Sequence, residues 1–188
     1  MSNPAGKLSA DRLWAAWKTF PKWFDEWWGQ DFWESGLLST SAAWTNGVVY
    51  PFIVTGLFKE LKCKGRFEVQ VGGQSRADCI LVDSSRNELA HIEHENASLS
   101  KLSRDLPKVN GTTPLLKCGV GYGWMREIEE KIPRVFKPKI TEFVRENPKQ
   151  EWLIITGLYP NERDHSLDRK TDWLAFRFDL NGITSLPW

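Results

Sequence analysis

The sequence of 188 residues predicts an α/β domain with a mixed central sheet, in which an antiparallel meander is flanked by helices. Three segments between residues 67 and 95 alternate in polarity and are separated by tight turns, which is typical of a meander. Helical periodicity precedes this region and returns after it. Seven of the eleven tryptophans lie before residue 45. We therefore expect a Trp-rich helical extension, residues 1–45, packed on an α/β domain, residues 46–188.

The extension spaces its large apolar residues by three and four positions, as a helix with one apolar face does. These residues are Leu13, Trp14, Trp17, Phe20, Phe24, Trp27 and Trp28. Pro21 breaks the pattern and opens a second short helix. Two interpretations are open. The helices pack their aromatic rings on the core, or they present an aromatic surface to a protein partner or to unpaired bases.

The remaining elements follow in a fixed order along the chain. A helix over residues 46–64 is expected to end at Gly65, and strands are expected over 67–71, 77–82 and 89–95. Ser98 or Ser100 begins a helix that ends at Pro107. The rest of the chain predicts a strand over 115–122, a long helix over 127–146 interrupted or bent by Pro133 and Pro138, and strands over 152–156 and 173–178.

Composition excludes several classes of protein. The formal net charge is +1, so a nucleic-acid partner would have to bind a local basic patch. Three scattered cysteines without a CxxC pair argue against a disulfide framework or a thiolate zinc site, and a reducing cytoplasm is expected. The N-terminus lacks the apolar core of a signal peptide, and the longest apolar run is well short of the roughly 20 residues that span a membrane. No membrane association is expected.

Acidic residues occupy two neighbouring strands of the meander. Alternation places His91, Glu93 and Glu95 on one face of the third strand, with His94 on the other face. If Asp78 on the preceding strand joins them, three carboxylates converge. Such a group is suited to a hard divalent cation, Mg²⁺ or Mn²⁺.

These residues and the order of elements around them resemble the PD-(D/E)XK nuclease superfamily, which has the restriction-endonuclease-like fold. Asp78 matches the family's first acid, Glu93 matches the second, and Glu60 on the preceding helix is the candidate helix acid. The resemblance covers roughly residues 46 to 122. Glu95 stands where most members have lysine, although some members carry Glu or Gln there and still cut.

The resemblance implies a metal-dependent nuclease that hydrolyses phosphodiester bonds, in DNA rather than RNA. Asp78, Glu93 and Glu60 would be the metal ligands, and Glu95 would be a general base or would bring in a second cation. His91 and Lys101 are accessory candidates, Lys101 as a lysine displaced onto the next helix. Many such folds act as homodimers to cut both strands. The alternative is an inactive nuclease-fold protein that binds protein or nucleic acid.

Simpler interpretations remain for every one of these residues. Asp78 could be a turn acid paired with Arg76, Glu93 and Glu95 could be the solvated face of an edge strand, and Glu60 could be a surface residue. His91 could be a hydrogen-bonded core histidine. Basic side chains are available to contact phosphates, or are simply solvated: Lys62, Lys64, Arg66, Arg76 and Arg104, with a second run at Lys131, Arg134, Lys137 and Lys139.

Overall fold

The structure is a computed structural model, and it describes residues 7–27, 45–72, 75–95, 98–158 and 173–188. Within these ranges, no helix is both long enough and apolar enough to cross a membrane. Cys63, Cys79 and Cys118 are buried free thiols.

In the described residues, one sheet of seven strands forms the centre of the fold, and the strands lie in sequence order across it. They are β1 Lys64–Gly72, β2 Ser75–Val82, β3 Glu88–His94, β4 Leu116–Gly123, β5 Glu151–Leu158, β6 Trp173–Asp179 and β7 Gly182–Leu186. The first three pair antiparallel, β3, β4 and β5 pair parallel, and β5, β6 and β7 pair antiparallel. The predicted mixed sheet with an antiparallel meander is therefore confirmed.

The seventh strand was not predicted from the sequence. It follows a turn in which the Asp179 carboxylate accepts a hydrogen bond from the Asn181 N–H at 2.7 Å, and Gly182 takes a left-handed φ of +115°. The strand lies at the sheet edge, and none of its residues is fully buried. Its apolar alternation is consequently weak, which is why the pattern did not reveal it.

Helices cover both faces of the sheet. One face packs against α1 Ala10–Trp17, α2 Phe20–Trp27 and α3, residues 45–61. The other face packs against α4 Leu99–Asn110 and α5, residues 125–146. The parallel strands are central and buried on both faces, as parallel sheets generally are.

The N-terminal helices bury their tryptophans against the sheet. Trp14, Trp17 and Trp23 are almost completely buried, and the ring of Trp17 meets that of Trp173 edge-on with centroids 5.4 Å apart. The Trp23 indole N–H donates to Thr55 Oγ1 at 2.6 Å. For these three tryptophans, the structure therefore agrees with the interpretation that the N-terminal helices pack their aromatic rings on the core. Trp28, Trp33 and Trp44 lie outside the described residues.

Helix α3 ends earlier than the sequence predicted. It consists of π-helical segments Thr45–Val49 and Phe52–Leu57 and a last α-helical turn, Phe58–Leu61. Lys62 then adopts a left-handed conformation with φ of +52° and ends the helix. Gly65 is instead a strand residue. A Cβ there would lie 2.1 Å from the Phe58 ring, so only glycine fits.

Helix α4 lies unusually close to the sheet because β4 presents glycines to it. A Cβ on Gly121 would lie 2.9 Å from Leu102 Cδ2, and a Cβ on Gly123 would lie 3.0 Å from Leu99 Cδ1. These glycines are strand residues that allow a helix to approach.

The prediction that α4 ends at Pro107 is wrong, because the helix continues to Asn110. Proline lacks the N–H that would bond to the carbonyl of Ser103, four residues earlier. Lys139 of α5 supplies the missing donor, with its Nζ 3.0 Å from Ser103 O. A contact from a distant helix therefore offsets the local signal.

Helix α5 begins at Met125 and is interrupted as expected, but the interruption is a π-helical segment, Ile132–Phe136. Pro133 and Pro138 each lie in the first turn of a segment, where a missing N–H is tolerated.

Candidate functional site

Asp78 and Glu93 lie side by side on β2 and β3, on the sheet face that α4 covers. The register pairs Cys79 with Ile92, which places Asp78 beside Glu93. The backbone N–H of His94 donates to Asp78 Oδ2 at 2.7 Å and so fixes the carboxylate against β3. Glu93 is only 4% exposed, and Asp78 is partly buried. The structure therefore brings together two of the acids that the sequence singled out.

The environment of Asp78 disfavours its charge. Burial, then the nearby charge of Glu93, raise the pKa of Asp78 to about 7, against the opposing effects of the His94 N–H and of Lys108. Near neutral pH the carboxyl group is consequently poised between its two protonation states. An added cation at this position would favour the ionised form.

Glu93 is held by two basic side chains. Lys108 of α4 donates to Oε1 in a short contact, and His91 Nε2 lies 3.3 Å from Oε2. Lys108 was not predicted as a site residue, because the predicted helix ended at Pro107. The signal was present: Lys108 follows Lys101 by seven positions, about two helical turns, and shares its helix face.

Glu95 forms an ion pair with Lys101 and does not join Asp78 and Glu93. Its Oε2 lies 2.8 Å from Lys101 Nζ, and its backbone N–H donates to Val120 O at 2.8 Å. The two glutamates of β3 are thus each matched by a lysine of α4. Asp105 lies in the same charged group, and burial, followed by the charge of Glu93, raises its pKa.

Behind Glu93, a buried chain of polar groups joins β3 to β4. His91 Nδ1 lies 3.1 Å from Thr112 Oγ1, and Lys117 Nζ donates to Thr112 Oγ1 at 2.7 Å and to Thr112 O at 2.5 Å. His91 and Lys117 are paired in the parallel register, and both are fully buried. Burial lowers the pKa of His91, and it lowers the pKa of Lys117 to about 8. Thr112 and Lys117 were not predicted from the sequence.

His94 faces the opposite side of the sheet, as the alternation predicted. Its Nε2 lies 3.0 Å from the Tyr122 hydroxyl, whereas Nδ1 has no hydrogen-bond partner among the described residues. Burial lowers the pKa of His94 to about 4, so the ring is neutral at physiological pH. Tyr50 lies on this side too, and its pKa is raised by burial and then by the charge of Asp78.

Several predicted site residues lie away from this group. Glu60 is exposed in the last turn of α3. On the β1 side, the acid whose charge raises the pKa of Asp78 is Glu68. Lys62, Lys64, Arg66 and Arg104 are exposed, and the side chain of Arg76 lies outside the described part.

A hard divalent cation such as Mg²⁺ is bound by oxygen ligands, carboxylates above all. In the described ranges, no group of three or more His, Cys, Asp or Glu side chains is placed to hold a metal ion. What the site offers is the pair Asp78 and Glu93. This pair fits Mg²⁺, which is often bound by one or two carboxylates and completes its shell with water and substrate phosphate.

Comparison with known protein families, with curated proteins and with solved structures found no match to this chain. Any functional inference must therefore come from the arrangement of its own residues.

Proposed function

We propose that this chain is a metal-dependent nuclease of the PD-(D/E)XK type, which hydrolyses phosphodiester bonds in DNA rather than RNA with Mg²⁺ or Mn²⁺. The observation that carries the proposal is the carboxylate pair of Asp78 and Glu93 on adjacent strands, joined to the Lys108 ammonium. The pair lies on an antiparallel meander followed by a helix and a parallel strand. This is the position at which the superfamily places its acids.

Asp78, Glu93 and the backbone carbonyl of His94 would hold the cation. When bound, the metal orients a phosphate, neutralises its developing charge and lowers the pKa of a bound water. Most members of the superfamily have a lysine at the position of Glu95, and in this chain Lys108 would perform the function of that lysine. Its ammonium lies against Glu93 and, once released from that carboxylate, can face a negatively charged phosphate oxygen.

Glu95 has a different environment from Glu93 and is assigned a different role. It lies beside Lys101, whose side chain is 53% exposed, whereas Glu95 itself is only 7% exposed. A carboxylate there can accept a proton from a water molecule, which is the role of a general base.

One observation favours a second function, that of an inactive nuclease-fold protein that binds protein or nucleic acid. Glu93 and Glu95 already have lysine partners, so their charge is neutralised without a metal. In that case the charged group would stabilise the fold and perform no chemistry.

The deciding experiment measures cleavage and metal binding together. Supercoiled plasmid, linear duplex, single-stranded DNA and RNA are incubated with the protein in Mg²⁺ or Mn²⁺, beside Asp78→Asn and Glu93→Gln. Glu60→Gln serves as the matched control because Glu60 is exposed. Cleavage by the wild type and by the control, but by neither site variant, supports the nuclease.

Calorimetric titration with Mn²⁺ separates the remaining cases. Binding that is lost in Asp78→Asn without any cleavage by the wild type would indicate an inactive nuclease. If the wild type neither binds Mn²⁺ nor cleaves any substrate, the proposed function is overturned.

A further inference from the structure

A second site of interest lies on β1 and on the turn between β2 and β3. A pocket of about 390 Å³ is lined there by Lys64, Arg66, Asp83, Ser84 and Arg86. We propose that this pocket binds a phosphodiester group of a nucleic-acid backbone. The inference depends on the proposed function only for the choice of a nucleic acid as the ligand.

The pocket keeps a net positive charge. Lys64, Arg66 and Arg86 contribute three cations, against the carboxylates of Asp83 in the lining and of Glu88 beside it. Arg66 pairs with Glu88 through one nitrogen, and its side chain remains 50% exposed. Since a guanidinium has five N–H donors, donors remain for a ligand. Arginine forks of this kind match phosphate oxygens in geometry.

Asp83, the acid in the pocket lining, already accepts hydrogen bonds from other residues of its own turn. Asp83 Oδ1 accepts from the N–H groups of Ser85 and Asn87, both at 2.8 Å, and Oδ2 accepts from Asn87 Nδ2 at 2.8 Å. Asp83 therefore serves to shape the turn, because Oδ1 is bonded to its backbone and Oδ2 to the Asn87 side chain.

Arg86 is held in a conformation that favours glycine. Its φ is +67°, and its N–H donates to Asp83 O at 3.1 Å. A glycine would form this turn without strain, because it has no Cβ to clash. Strained backbone positions of this kind cluster at active sites and ligand clamps. Here the strained residue brings a third cation to the pocket.

The pocket lies on the same face of the sheet as the acids. Gly65 and Phe67 face the core beneath α3, so alternation places Lys64 and Arg66 on the opposite face, with Asp78 and Glu93. Lys64 pairs with Val82, which is four residues along β2 from Asp78 and therefore about 13 Å away. That distance is short compared with a duplex, whose backbone carries a phosphate charge every few ångström. One backbone could therefore contact both places.

The test is binding of a fluorescein-labelled 20-base-pair duplex, measured by fluorescence anisotropy in EDTA over a salt series. The test variant is Lys64→Gln/Arg86→Gly, in which glycine suits the left-handed turn, so its Tm should not fall below that of the wild type. The control is Arg145→Gln/Lys149→Gln, which removes two exposed charges at the end of α5 and just after it.

We expect Kd to rise about tenfold at 0.1 M salt in the test variant, and the log–log salt slope to decrease by about 1 to 2. The control should change neither by more than about twofold. An unchanged Kd in the test variant, or an equal loss in the control, would overturn the proposal.

A competition arm distinguishes the sources of phosphate. Inorganic phosphate and AMP should displace the duplex only at millimolar concentration. Displacement at micromolar concentration from the wild type would assign the pocket to a free phosphate compound and overturn the backbone assignment. The binding assay contains EDTA, so it measures DNA binding without cleavage. If the wild type binds DNA in this assay but does not cleave it in Mg²⁺ or Mn²⁺, only the proposed nuclease is refuted. If the wild type cleaves DNA but the test variant binds it as tightly as the wild type, only the proposed pocket is refuted.

Discussion

Lys139 of α5 completes the backbone hydrogen bonding of α4 by donating from Nζ to the carbonyl oxygen of Ser103, 3.0 Å away. That oxygen loses its helical partner because Pro107 has no N–H. The last turn of α4, which carries Lys108, therefore forms beyond a proline with the help of a side chain from another helix.

Replacing Lys139 with methionine should destabilise the protein by about 1 kcal/mol, because a buried carbonyl would lose its donor. The free energy of unfolding from urea titration measures this loss. Lys137→Met is the control, since Lys137 is exposed on the same helix. Equal stability of the two variants would contradict the assigned role of Lys139.

Removing Lys108 should have a larger effect. Lys108→Met leaves the nearly buried Glu93 carboxylate with only His91 beside it, and we expect a loss of about 2–3 kcal/mol at neutral pH. Lys101→Met should cost less than about 1 kcal/mol, because Lys101 is largely solvated. Adding Glu93→Gln to Lys108→Met should recover much of the loss in a double-mutant cycle. Simple additivity of the two changes would argue against direct coupling.

Lys117 should make stability depend on pH in the alkaline range. Its pKa in the folded protein is about 8, below the ordinary value of 10.5, so the unfolded chain binds more protons between these values. The free energy of unfolding should therefore rise with pH from about 8 to 10.5, and the full difference corresponds to about 3 kcal/mol.

The comparison that isolates this effect is Lys117→Met, which has no group to titrate there. The difference in unfolding free energy between wild type and variant should shift in favour of the wild type over that window. Parallel curves would mean that folding does not lower the pKa of Lys117.

The close approach of α4 to β4 predicts a penalty for any side chain at Gly121. A Cβ there would lie 2.9 Å from Leu102 and 3.0 Å from Leu99, so Gly121→Ala should destabilise by about 1–3 kcal/mol. Gly111→Ala is the control, because its Cβ would have ordinary contacts and its φ is −70°. That variant should be neutral or slightly more stable. Calorimetric Tm values compare the two, and a normal Tm for Gly121→Ala would show that α4 can move away freely.

Alternation along the strands was enough to predict much of the site from sequence. It placed His91, Glu93 and Glu95 on one face and His94 on the other, and the turn lengths placed Asp78 on the neighbouring strand. These are local relationships, and a strand fixes them wherever it lies.

The partners of those acids were less accessible to prediction. Lys108 lies past a proline whose effect is offset by Lys139, which is 31 residues beyond Lys108 in the sequence. Thr112 and Lys117 meet His91 only through the parallel pairing of β3 with β4. Glu60 looked suitable because it precedes the meander, but its side chain is exposed. Long-range contacts decided the cases of Lys108, Thr112 and Lys117.

The glycines of β4 have a consequence for how a sequence of this kind should be compared with others. Gly119, Gly121 and Gly123 carry no chemical group, yet they set how near α4 can come, and with it whether an ammonium on that helix reaches an acid on the sheet. A chain that kept the acids and lysines but had larger residues at these positions would hold the same charges farther apart. The pairing of these lysines with these acids thus depends partly on the absence of side chains at three positions of β4, which a search for reactive groups would not consider.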